Sequence, residues 1–329
     1  MKKLDIRGLK EKARDTLENT TPDYRRLVTL HSAISMGVLF FVMLVNFIIG
    51  RLDANTGGLN SLGNGALLNT AQSFFSSVTS FLLPFWQVGI MFTSLQVARR
   101  KRADFSMLTQ GFHRLGVLLR YGILILGIFF AVVMVIAYAS VAYVLLVPPS
   151  ESLMAVMEGL PILDTQNPED ILFQLPAEFW EYMLIPMLLV SVIAMAITLP
   201  LSYRLRMCQY AILDGEQVRA RMSMGISSRL TKGYKWDLFK LDVSFWWYHV
   251  LQLPVSIIVY IPEVFVKLGI SLPMPNDVFN LVCYGVYCGL SVLLAYYAGA
   301  YWETTNALAY EELCARQQTI AVIPEMEIQ

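Results

Sequence analysis

Charge is scarce in this chain of 329 residues: Asp, Glu, Lys and Arg together make up 15% of it, against about a quarter in ordinary soluble domains. Water is therefore not its main solvent. The 25 basic and 25 acidic residues cancel, so there is no overall positive field of the kind that gathers nucleic acid, which speaks against such a partner. Cys208, Cys283, Cys288 and Cys314 show no paired spacing, and with only 3 histidines in the chain they supply neither a disulfide framework nor a zinc-ligand pattern. They read as small packing residues or free thiols. Catalytic signatures are missing too: there is no Gly-x-Ser-x-Gly elbow, His-Glu-x-x-His, P-loop or Gly-x-Gly-x-x-Gly. No nucleophile, base and orienter can be named together, so the expectation is a protein that is not an enzyme and uses no cofactor or metal. The alternative class is an intramembrane lipid-modifying enzyme.

What the chain has instead is apolar length, with 56% of its residues hydrophobic. A helix rises 1.5 Å per residue and the hydrocarbon core is about 30 Å thick, so about 20 nearly uncharged residues are needed to cross it. Six stretches qualify, over 27–50, 71–98, 121–147, 182–203, 243–262 and 278–302. The expected fold is all-α, a polytopic membrane helical bundle with six transmembrane helices over 27–302, an amphipathic helix over 1–26 and a cytoplasmic tail over 303–329. The first stretch follows a polar segment and has no small-residue cleavage site before Arg51, so it reads as an anchor rather than a signal peptide.

Lys and Arg near span ends resist transfer out of the cytoplasm. With the amino terminus inside, 23 of the 25 fall on the cytoplasmic side, leaving Arg51 and Lys267 outside. The run Arg99, Arg100, Lys101, Arg102 anchors the second span, and Arg204 with Arg206 the fourth. Both termini are therefore expected in the cytoplasm.

The connecting segments carry their own patterns. Ile6, Leu9, Ala13 and Leu17 recur at helical spacing among Lys and Arg, which fits a helix lying on an anionic leaflet or one packed on the protein itself. Asp214 followed by Gln217 resembles a capping box, and Val218, Met222, Ile226 and Leu230 form a stripe ending at Gly233, which suits a C′ position. That helix reads either as a docking surface for lipid head groups or a protein partner, or as a seal on the bundle. Leu108, Thr109, Gln110, Gly111 and Phe112 are echoed by Leu230, Thr231, Lys232, Gly233 and Tyr234, through either a parallel internal repeat or shared elbow chemistry. Outside, 148–181 holds acids including Glu151 and Glu169 but no Lys or Arg, with a helix start at Asn167 and Pro168.

Within the spans, His31, Arg120, Asp242 and Glu303 lie near cytoplasmic ends, where snorkelling removes most of the cost of a polar group. His249 sits deeper and reads as a proton-linked residue or as a neutral histidine bonded to a neighbouring helix. Asn46 and Gln87 read as interhelical hydrogen-bonding groups. Gly285 and Gly289 form a Gly-x-x-x-Gly face whose close neighbour lies within the chain or in a second copy, as a homo-oligomer. Pro84, Pro186 and Pro254 lie in apolar segments and are able to kink them or free carbonyls.

These landmarks resemble a family of uncharacterised bacterial integral membrane proteins, a domain of unknown function, and are more distantly similar to the membrane domain of glycerophosphodiester phosphodiesterases. The resemblance is carried by Leu9, Lys10, Ala13, Arg14 and Leu17, by Phe105, Leu108, Gly111 and Phe112, and most specifically by Tyr210, Leu213, Asp214, Ser228, Leu230, Gly233, Lys235, Leu238, Phe239, Leu241, Ser244, Phe245 and Trp247. Tyr310, Glu311, Glu312 and Leu313 close it. The chain departs from the family at Ala300 and Tyr301, where a Pro-Tyr pair is expected. The resemblance implies a multi-span bundle in the bacterial inner membrane and no catalytic residue, since fold analogy does not transfer function. The candidate functional or packing positions are His249, Gly285, Gly289, Asp214, Gly233 and Lys235, in a transport-type or scaffold bundle whose first partner is the lipid bilayer.

Overall fold

The computed structural model describes residues 3–21, 23–55, 64–146, 177–215, 217–270 and 274–326. Among them the regular elements are all helical, as lipid demands of any open chain that must satisfy its backbone within each segment. Six helices are long and apolar enough to cross a membrane: Tyr24–Ile49, Ser73–Ala98, Leu115–Ala139, Trp180–Asp214, Trp246–Lys267 and Asn276–Gln317. Each coincides with one of the apolar stretches expected from sequence. Of the acidic segment expected as a loop over 148–181, residues 177–181 belong to the helix Ala177–Leu205; the helix start expected at Asn167 and Pro168 lies outside the described residues.

In chain order the elements are α1 (Ile6–Asn19), α2 (Tyr24–Asn55), α3 (Asn64–Ala98), a 3₁₀ turn (Phe105–Thr109), α4 (Gln110–His113), α5 (Leu115–Leu146), α6 (Ala177–Leu205), α7 (Cys208–Asp214), α8 (Ala220–Leu230) and α9 (Lys235–Val243). Then come α10 (Trp246–Ile257), a second 3₁₀ turn (Ile258–Tyr260), α11 (Ile261–Lys267), α12 (Asn276–Leu294), a π turn (Ala295–Gly299) and α13 (Ala300–Met326). They form two compact units, Met1–Leu119 with Arg206–Gln329, and Arg120–Leu205.

The smaller unit consists of most of α5 and α6. Both helices are apolar all round, and Leu126, Phe130, Val133, Leu188, Val192 and Met195 are exposed, the pattern of helices solvated by lipid. Tyr143 and Tyr182 bring their rings to 6.3 Å.

The larger unit holds the other four spans and the basic elbows. The helices α2 and α12 lie side by side: a Cβ on Gly285 would stand 3.4 Å from Phe40, and the Cys288 thiol donates to the Met36 carbonyl at 3.7 Å. Arg51 and Asp277 pair at the end of the same seam. The 3₁₀ turn and α4 cross α3 closely. A Cβ on Gly89 would lie 1.8 Å from the Leu108 carbonyl oxygen, and one on Gly111 would lie 2.0 Å from that of Phe85. Only glycine lets the backbones approach this far.

At the basic end, Asp5 caps α1 by accepting from the Gly8 N–H at 3.1 Å. Leu9, Ala13 and Leu17 are buried where α1 packs on α13 and α9, so the stripe seals the protein rather than lying on a leaflet. Lys10 donates to the Ser244 carbonyl at 2.8 Å and sits 4.3 Å above the Phe245 ring. Burial pushes its ammonium below the usual lysine range. The Tyr301 hydroxyl donates to the Lys10 carbonyl at 3.4 Å. Helix α13 begins at Ala300, directly after the π turn, and the segment expected as a tail is helical to Met326, with Thr304, Thr305, Tyr310 and Leu313 buried.

The stripe expected along 218–230 is displaced. Helix α8 starts at Ala220 with Arg219 as its N-cap, and its buried face is Ala220, Ser223, Ser227 and Leu230. Met222 is exposed. The serines are small enough to bring the helix close, and Ser227 accepts from the Met207 N–H at 3.1 Å. Asp214 ends α7 instead of capping α8. Gly233 has φ +85°, but it lies two residues past the Thr231 C-cap of α8, in the turn that leads to α9 rather than at the expected C′ position. Its sequence counterpart Gly111 lies inside α4, so the two matching pentapeptides use glycine for different reasons.

Candidate functional site

Among α2, α3, α10, α12 and α13, all in the larger unit, lies a cavity of about 410 Å³. Its wall is polar for a site inside spans. Helix α2 contributes His31, Ser32 and Ser35, α3 contributes Gln87, α10 contributes Tyr248, Gln252 and Ser256, α12 contributes Tyr287 and Ser291, and α13 contributes Trp302 and Glu303. On α2, α10 and α12 these residues recur three or four apart, so one polar face of each of these helices turns toward the same space.

Two local irregularities shape it. Pro254 removes a helical donor from α10, and the chain tightens into a 3₁₀ turn four residues later at Ile258–Tyr260. In the sixth span, Tyr287, Ser291, Ala295, Gly299 and Glu303 all line the cavity at intervals of four. Residues four apart drift about 40° round a regular α-helix, so such a row soon leaves a fixed face. The π turn at Ala295–Gly299 takes up an extra residue, reverses the drift and returns Glu303 to the cavity. Gly299 leaves room for this: a Cβ there would stand 3.8 Å from the Tyr248 hydroxyl.

Glu303 is 8% exposed and its carboxyl group makes no hydrogen bond or ion pair with the described residues. The Arg206 guanidinium lies within electrostatic reach, yet it is engaged elsewhere: it grips Asp242 and donates to Asn306 Oδ1 at 2.6 Å. Among the described residues on the cavity wall there is no other carboxylate and no Lys or Arg. Trp302, its neighbour, holds its indole N–H buried without an acceptor, another polar group that the fold leaves unsatisfied.

His31 is 4% exposed and therefore does not snorkel. Its Nε2 stands 3.1 Å from the Trp86 carbonyl, and since a carbonyl only accepts, Nε2 carries the proton. Trp86 Nε1 in turn donates to the His31 carbonyl at 3.4 Å. The two rings stack at 5.0 Å and 4°, a clasp that locks α2 to α3 on one wall.

Deeper in the basic end, Arg99 bridges Asp214 at 2.5 Å and Glu311 at 2.7 Å, and the Tyr310 hydroxyl donates to Asp214 at 3.2 Å. Although burial opposes the charge, the hydrogen bonds that Arg99 donates to both carboxylates hold its guanidinium above the usual range. Asp214 is thus a structural anchor. Gly233 lies in the turn after α8, Lys235 opens α9, and Gly285 packs on Phe40. A Cβ on Gly289 would meet nothing within 4 Å. His249 is exposed on the outer side of α10, 6.4 Å from the Trp302 ring, and does not line the cavity.

The residues that build the site carry little signal in the sequence. Glu303 and His31 read as groups at helix ends, and the serines and glutamines of α2, α10 and α12 carry no motif. The available signal was the row of polar residues at intervals of four on spans one, five and six. Among the described residues no three His, Cys, Asp or Glu side chains are grouped to hold a metal ion. Comparison with protein-family models, curated proteins and solved structures returned no match, so no relative assigns a role to any residue of the cavity.

Proposed function

We propose that this is a transport-type protein of a bacterial inner membrane, with both termini and the basic elbows in the cytoplasm, and that the cavity among spans one, two, five and six takes up a small polar solute. The observation that carries this is Glu303, buried on a polar wall with no hydrogen bond or ion pair to its carboxyl group among the described residues. A charge so placed is expensive in a membrane and usually marks a binding or transport pathway. The broken and widened helices beside it are the features found where spans line a cavity rather than lipid.

The test is solute access. In the full chain reconstituted in liposomes, cysteines introduced by Ser291→Cys and Gln252→Cys should react with a membrane-impermeant thiol reagent, while Leu253→Cys and Leu293→Cys on exposed apolar faces should not. Modification at Ser291→Cys should block uptake of labelled solutes. Equal reactivity at all four positions, or none, counts against this reading.

A second surface supports contact with anionic lipid at the same end. Arg100, Lys101 and Arg102 border a recess of about 730 Å³ with Asp15, Thr16, Asn19 and Thr20; Asp15 pairs with Arg100 at 3.3 Å, which leaves the rim net basic. Such a basic rim attracts phosphate head groups. Vesicle binding that persists unchanged after all three are neutralised would refute it.

A further inference from the structure

We infer that the solute held by this cavity is a small organic cation, an alkylammonium recognised jointly by the Glu303 carboxylate and by aromatic faces. This rests on the reading of the cavity as a solute site and adds the sign and chemistry of its ligand.

The sign follows from the wall. Glu303 brings the one formal charge among the described lining residues, and the nearest guanidinium, that of Arg206, is occupied by Asp242 and Asn306. His31 spends its Nε2–H on the Trp86 carbonyl and does not offer it to a ligand. A ligand entering this space meets one unpaired acid and no free base.

The chemistry follows from the rings. Tyr248 and Trp302 stand 6.4 Å apart with their planes tilted by 34°, and Tyr287 lines the same space from α12. Tyr and Trp faces carry negative potential and attract cations that have left water, quaternary ammonium groups above all. Around them Ser35, Gln252 and Ser291 offer oxygen acceptors to an N–H or O–H on the ligand. A volume of about 410 Å³ lies within the range of small-molecule sites, and it suits a compact cation with some water better than a lipid chain.

The experiment uses two probes of nearly the same shape, choline and its neutral isostere 3,3-dimethylbutan-1-ol, titrated calorimetrically into the full-length protein in nanodiscs. Choline should bind saturably and at least about tenfold more tightly than the alcohol, a gap that one desolvated cation–π contact or one charge-assisted contact already provides. Glu303→Gln should abolish that preference. Tyr248→Leu should weaken choline about tenfold while Tyr248→Phe, which keeps the ring, leaves it within a factor of two. Circular dichroism and gel filtration confirm that each variant is folded, and the Tyr248 pair tests the idea even where Glu303→Gln does not fold. Equal binding of the two probes, or folded Glu303→Gln that keeps full affinity for choline, overturns the inference. If neither probe binds although Ser291→Cys still reacts with the impermeant reagent, the cation assignment fails and the solute site stands. If Ser291→Cys is also unreactive, the solute site itself fails.

Discussion

Arg206 holds Asp242 with both terminal guanidinium nitrogens, Nη2 at 2.7 Å from Oδ1 and Nη1 on Oδ2, and extends Nη2 to Asn306 one turn below Glu303. The clamp joins the segment after α6 to α9 and α13, and it engages the guanidinium that lies within electrostatic reach of the buried acid.

Removing either partner strands a largely buried charge. Asp242→Ala should lower stability by about 3 kcal/mol, and Arg206→Lys should not preserve it, because an ammonium cannot make the two parallel bonds. Thermal unfolding of the detergent-purified protein measures both. A shift in Tm as small as that of an exposed pair such as Arg14 with Glu18 would show the clamp to be dispensable.

The crossing of α3 with α4 makes a sharper prediction. Gly89→Ala and Gly111→Ala place a methyl group where a backbone carbonyl already stands, at 1.8 and 2.0 Å, and should each cost more than about 3 kcal/mol or prevent folding, as overpacking does when nothing flexible can yield. At Gly116 and Gly225 a Cβ meets nothing within 4 Å. There alanine should raise stability by up to about 1 kcal/mol through helix propensity. Thermal midpoints of the four variants separate close approach from mere small size.

Arg100 and Gly269 occupy the same position of the same helix ending. In one, the Lys101 N–H reaches back to the Gln96 carbonyl and the Arg100 N–H to that of Val97; in the other, Ile270 reaches Phe265 and Gly269 reaches Val266. Both have positive φ, +56° and +66°, which suits glycine and strains arginine. Arg100→Gly should therefore stabilise the fold by about 1 kcal/mol, while weakening attachment to vesicles rich in anionic lipid. A variant that is no more stable, or that binds such vesicles as well as before, contradicts the view that charge is retained here against backbone preference.

Neutralising Arg99, Arg100, Lys101 and Arg102 together should disturb the orientation of the spans more than neutralising any four acids of the outer loop, because Lys and Arg dominate insertion. Reporter fusions placed after span two read this directly, and an unchanged cytoplasmic signal would count against the proposed orientation. The single variant Arg99→Gln should behave differently, leaving orientation alone while loosening Asp214 and Glu311. Hydrogen exchange along 208–214 and 304–313 should then rise.

The six spans were legible because each is a long apolar run, and burial in lipid needs little more than length and composition. Gly233 was legible as a position of positive φ because its reason is local, though it sits in the turn after the Thr231 C-cap and not at C′. The same reasoning misplaced α8: Asp214 and Gln217 have the spacing of a cap, but Asp214 is taken by Arg99 from another helix, and the helix begins later, at Ala220. For α1 the stripe was visible and its partner was not, since lipid and a protein surface accept the same apolar face. Glu303 and His31 were passed over because position along a span does not tell which way a side chain points.

Apolar run length determines, without any contact being known, that this chain has six helices long and apolar enough to cross a membrane; these are transfer free energies summed along a line. Which polar faces meet depends on helix rotation, and rotation depends on neighbours. The π turn that keeps Glu303 in register with Tyr287, the clasp between His31 and Trp86, and the occupation of Arg206 by Asp242 each require groups far apart in sequence to be packed together. Only the tertiary structure could turn three unremarked rows of polar residues into one cavity with an unpaired acid on its wall.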